Sequence, residues 1–133
     1  MQFRKVLLID DDELDLYVSK RVLKSSSFAE VIITTNTVND AMHYLINNNI
    51  TGSLPDFIFL DLNMPGQNGL EFLKEYEVFA RKHQTSCIVA LLMNVVETQN
   101  PDTLHAKSHP LVKYVFEKPL TEKKLKSISV TER

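Results

Sequence analysis

The chain has 133 residues, 44% of them apolar, and a formal net charge of −2. That length fits one domain with one core, and the apolar share excludes a disordered chain. No basic face is offered to nucleic acid, and the longest apolar runs, such as Ile88 to Met93, are too short to span a bilayer.

The N-terminus opens on a strand-like segment without a charged-then-apolar leader, so a cytoplasmic protein is expected. That first short apolar, β-branched run is Lys5–Ile9. Leu14, Tyr17, Val18 and Val22 follow at helical spacing and predict the buried face of a first helix. A second strand is expected at Val31–Thr35. Val38, Ala41, Met42, Leu45 and Ile46 then form the clearest amphipathic stripe in the chain. Asn47-Asn48-Asn49 and Thr51-Gly52-Ser53 punctuate the loop before a third strand, Phe57–Leu60. A third helix is expected over Gly69–Arg81 and a fourth strand over Ile88–Met93, headed by the lone Cys87, which reads as a buried structural thiol. Asn100-Pro101 starts a fourth helix of about two turns, preceded by a mobile loop and stopped before His109-Pro110. Val112–Phe116 is the fifth strand. Thr121 caps a last helix with Glu122 in its first turn. His43, His83, His105 and His109 are scattered and read as surface residues.

Strands alternating with helices, and near-continuously apolar, imply an α/β domain with a parallel sheet covered on both faces. Such open sheets bind ligands beyond the carboxyl ends of their strands. Asp10-Asp11-Asp12-Glu13 follows the first strand there. Asp61-Leu62-Asn63-Met64-Pro65 and Gly69 follow the third, and Lys118-Pro119 the fifth. Asp12 reads as a helix cap, and Met64-Pro65 and Gly69 as loop geometry. Carboxylates about 5 Å apart repel by roughly 3 kcal/mol per pair at an effective dielectric near 20. A cluster of this kind calls for a cation, and oxygen ligands without His or Cys suit Mg²⁺.

Ile9-Asp10-Asp11, Leu60-Asp61 with Asn63-Met64-Pro65 and Gly69, and Lys118-Pro119 together resemble the response-regulator receiver family over essentially the whole chain. The resemblance implies a flavodoxin-like three-layer (βα)5 sandwich, with a five-stranded parallel sheet of order 2-1-3-4-5 and residues 1–133 as one receiver domain. It implies that Asp61 is the phosphoacceptor, a carboxylate nucleophile that forms an acyl phosphate. Mg²⁺ would be held by Asp11, Asp61 and the backbone carbonyl of Asn63, with Asp10 acting through water. Lys118 would pair with Asp61 and then with a phosphoryl oxygen. Pro119 fits the family's Lys-Pro junction, often a cis bond.

The family's usual switch is a hydroxyl residue ending the fourth strand and an aromatic residue on the fifth. Here Met93 stands at the first position and Val115 at the second, and Tyr114 and Phe116 are expected on the opposite face of their strand. Asn94 is the adjacent polar residue and a candidate contact for the phosphoryl group. The expected function is a stand-alone receiver, phosphorylated by a sensor histidine kinase or histidine phosphotransfer protein and signalling by protein contact. It is no enzyme beyond its own Mg²⁺-dependent phosphotransfer and dephosphorylation, and neither nucleic acid nor membrane is a partner. The alternative is a receiver-fold binding module that works without phosphate. A phosphohydrolase is disfavoured, because such enzymes place a second acid two residues after the nucleophile, where this chain has Asn63.

Overall fold

The structure, a computed structural model, describes residues 3–62, 64, 69–85, 87–94 and 101–128. Ten elements alternate along it: β1 (Phe3–Ile9), α1 (Glu13–Ser25), β2 (Ala29–Thr35), α2 (Val38–Thr51), β3 (Phe57–Asp61), α3 (Gly69–His83), β4 (Ile88–Met93), α4 (Pro101–Lys107), β5 (Val112–Glu117) and α5 (Glu122–Lys126). The five strands form one parallel sheet in the order β2-β1-β3-β4-β5. This is the flavodoxin-like architecture that the family resemblance implies. The strand bounds agree to within a few residues. The expected loop ahead of α4 falls at 95–100, outside the described residues.

Strand parity divides the core. Leu7, Ile9, Ile58, Leu60, Val89 and Leu91 face one side, packed by α2, α3 and α4 through Leu45, Leu73 and Ala106. Val6, Leu8, Phe57, Phe59, Ala90 and Leu92 face the other, covered by Leu23 of α1 and Leu125 of α5. The central strands β1, β3 and β4 are almost wholly buried, as continuous apolar runs require. The edge strand β5 alternates half-buried and exposed residues.

Local chemistry sets the helix starts. Asp12 accepts hydrogen bonds from the amides of Leu14 and Asp15 at the N-terminus of α1. Thr37 and Thr121 cap α2 and α5 in the same way. Gly52 ends α2 at φ +73°, the left-handed conformation that a helix stop favours.

Three sequence expectations need correction. In α1 the buried residues are Ser19 and Leu23, with Leu16 and the predicted Val22 packed beside them, whereas Leu14 and Tyr17 are 70% and 57% exposed. Both stripes satisfy helical spacing, and the one that packs inward includes the polar Ser19. Tyr17 instead carries Arg21, whose guanidinium lies over its ring and donates to its hydroxyl. In α2, Ile46 is 44% exposed while the rest of its stripe packs inward. His109 is not a surface residue: its side chain is 9% exposed, lies beside Glu77 and accepts from the Leu111 amide.

Candidate functional site

Three strand ends assemble the site. The Asp10 amide donates to Thr35 O, the Leu62 amide to Leu92 O and the Lys118 amide to Met93 O, so sheet hydrogen bonding continues past each strand and fixes the residues that follow. Gly69 brings α3 against the same edge. A Cβ there would lie 2.9 Å from Leu62 Cδ1, 3.0 Å from Leu62 Cα and 3.2 Å from Asp61 O. Only glycine lets α3 begin so close to the Asp61 backbone.

Asp10, Asp11 and Asp61 each offer a carboxylate oxygen within 4.8 Å of the others. Asp10 and Asp61 are buried and Asp11 is half-buried. Burial first, and then the charge of Asp10, push the Asp11 carboxyl above its ordinary value. Asp10 uses one oxygen to accept from the Asp12 amide and the other to meet Lys118 Nζ at 3.0 Å. Lys118 Nζ lies 3.2 Å from Asp61 and 2.8 Å from Asp15. Burial alone would lower the pKa of this ammonium, but Asp15, Asp61 and Asp10 outweigh it and hold the charge firmly in place. The Lys118-Pro119 bond is cis.

An all-oxygen donor set of this kind fits a hard divalent cation. Three carboxylates close together, partly buried and faced by one ammonium, can bind such an ion and leave a carboxylate oxygen for nucleophilic attack. Asn63, expected to add its carbonyl, lies outside the described residues.

Asp15 was not anticipated as part of this cluster. From sequence, a carboxylate in the first turn of a helix reads as a partner for the helix dipole, and nothing in spacing links it to a lysine 103 residues away. Met93 ends β4 one residue past Leu92, the partner of Asp61 across the sheet, and its carbonyl accepts from the Lys118 amide. The Met93 side chain is buried in the core shared with Met64 and Ala106, and Val115 is 38% exposed. Tyr114 and Phe116 stack on each other against the opposite core. Asn94 is exposed and lines a cavity of about 200 Å³ together with Asp15, Ser19 and Lys118.

The sequence model of the response regulator receiver domain matches residues 6–129. The chain belongs to that family. A two-component response regulator from Cytophaga hutchinsonii is 28% identical, with a TM-score of 0.83 over 96% of this chain and 94% of that one. Another from Legionella pneumophila is 25% identical, with a TM-score of 0.74 over 93% of each chain. A mutant of the receiver domain of the Arabidopsis thaliana histidine kinase CKI1 shares the fold at 15% identity, with a TM-score of 0.75 over 94% of this chain and 91% of that one. No curated protein matches. The receiver is a signalling domain rather than an enzyme with an external substrate, and no described helix is long and apolar enough to cross a membrane.

Proposed function

We propose that this receiver accepts a phosphoryl group on Asp61 from a sensor histidine kinase or a histidine phosphotransfer protein. The observation that carries the reading is the convergence of Asp10, Asp11, Asp61 and Lys118 at one sheet edge of a chain in this family. Asp10, Asp11 and Asp61 would hold Mg²⁺, with the Asn63 carbonyl as a further ligand. When bound, the ion supplies Lewis-acid neutralisation of the phosphoryl oxygens. The rest is done by the chain's own groups. An Asp61 oxygen attacks phosphorus, the bond from phosphorus to the donor's imidazole nitrogen breaks, and the electron pair leaves with the imidazole. Lys118 stabilises the charge on the transferred group. Residues 1–133 act as one receiver domain, and the phosphorylated form signals by protein contact in the cytoplasm.

Adding Mg²⁺ and beryllofluoride to the isotopically labelled chain is expected to shift the amide resonances beside Asp61 and Lys118. Asp61→Asn is expected to abolish the shifts. An unresponsive wild type would reject the reading.

Met93 and Val115 favour a second reading, a receiver fold that binds its partner without phosphate. Neither residue offers a hydroxyl to a phosphoryl group or an aromatic ring to reorient. Without that hydroxyl the phosphoryl group forgoes a charged hydrogen bond worth about 1.5–3 kcal/mol, and a state change can be driven only by such differential contacts. The same spectra separate the two readings. Shifts spreading into α4 and β5 indicate a working switch by another route, whereas shifts confined to the pocket, or none, indicate the phosphate-independent module.

A further inference from the structure

Lys118 is engaged on three sides. Its ammonium has three N–H donors, and three carboxylates surround it: Asp15 at 2.8 Å, Asp10 at 3.0 Å and Asp61 at 3.2 Å. The shortest contact belongs to the residue from α1. Asp10 and Asp61 have side chains 4% and 2% exposed, so both are fixed in the pocket, while that of Asp15 is 41% exposed and reaches in from the first turn of its helix. A phosphoryl oxygen on Asp61 could be taken up by Lys118 only if one of the three carboxylates gave way. Asp15 and Lys118 line one cavity of about 200 Å³ together with Ser19 and Asn94.

We propose that Asp15 is a positioning residue that draws Lys118 toward α1, which lets Asp10 and Asp61 turn to the divalent cation and opposes the transfer of Lys118 to a phosphoryl oxygen. The proposal rests on the phosphoacceptor reading. Its two effects run in opposite directions. Without the Asp15 charge, the ammonium that now contacts all three carboxylates bears on Asp10 and Asp61 alone and competes more strongly with the cation, yet moves more readily to an anion once the cation is bound. A half-exposed ion pair of this kind is worth up to about 1 kcal/mol, which corresponds to about a fivefold change in affinity.

The test is a double-mutant cycle on the full chain, titrated calorimetrically with Mg²⁺: wild type, Asp15→Asn, Lys118→Met and the double variant. Asp15→Asn is expected to weaken Mg²⁺ about fivefold when Lys118 is present and less than about twofold in the Lys118→Met background. Equal factors in the two backgrounds, or no effect in either, would overturn the proposal, because Asp15 would then act by its charge alone or not at all. Any stability lost from the first turn of α1 is common to both backgrounds and cancels. At saturating Mg²⁺, Asp15→Asn is expected to tighten beryllofluoride about fivefold, and weaker binding overturns the proposal. A wild type that binds Mg²⁺ but not beryllofluoride rejects the phosphoacceptor reading and leaves Asp15 to be decided by the cycle. A wild type that binds no Mg²⁺ overturns both.

Discussion

Asp11 carries the electrostatic cost of the pocket. Burial and the neighbouring Asp10 charge raise its carboxyl above the ordinary value of 3.8. An acid whose folded pKa is raised binds its proton more tightly in the native state, so its contribution to stability falls as pH rises from 3.8 through the folded value. Asp11→Asn is therefore expected to raise the urea midpoint of the metal-free protein at neutral pH and to leave it unchanged below pH 3.8. Mg²⁺ should reverse the order at neutral pH, because the ion stabilises only a form that binds it. A neutral-pH midpoint unchanged or lowered by Asp11→Asn without metal would contradict this account. At Cys87 burial and partner oppose each other, the Tyr76 hydrogen bond lowering what burial raises. The residue is half-buried, where the sequence reading has a buried thiol, and the thiol, beside the Tyr76 hydroxyl at 2.9 Å, is pushed up to about 12 chiefly by burial.

At the scale of elements, Gly69 is where packing and site meet. Two of the three atoms that a Cβ would strike are backbone atoms of Asp61 and Leu62, and backbone cannot rotate away as a flexible side chain does. Gly69→Ala is expected to cost about 1–3 kcal/mol of stability and to weaken Mg²⁺ binding, because relief requires moving the Asp61–Leu62 segment. Chemical denaturation and calorimetry check the two parts, and a variant matching wild type in both would show that α3 shifts without disturbing the site. The sequence allowed Gly69 only as loop geometry, since the close approach comes from a neighbour seven residues back. The α1 face is only partly legible, for a related reason. Helical spacing admits more than one stripe, and apolarity alone selected Leu14 and Tyr17 over the stripe of Leu16, Ser19 and Leu23. A buried serine on the inward stripe is invisible to a hydrophobic pattern. By contrast α2, with Ala41 and Leu45 buried and Val38 and Met42 beside them, was legible apart from Ile46.

Across the whole molecule, alternation of strands and helices sufficed to read an α/β domain, because β1, β3 and β4 are buried on both faces and leave unbroken apolar runs. Strand order was carried by the family resemblance and matches β2-β1-β3-β4-β5. The meeting of Asp10, Asp11 and Asp61 followed from placing acidic residues at the ends of neighbouring strands of one parallel sheet. What sequence could not supply was the side-on partner, Asp15, since a helix contributes to that edge only through its orientation on the sheet.

If this edge makes Asp61 a nucleophile toward phosphorus, as proposed, the gain of a phosphoryl group can be read by mass. The chain is incubated with Mg²⁺ and acetyl phosphate, its intact mass is recorded and the modified residue is located by fragmentation. One added phosphoryl group is expected, borne by Asp61, lost with Asp61→Asn and lost when Mg²⁺ is chelated. An unchanged wild-type mass, or an undiminished gain in Asp61→Asn, would contradict it.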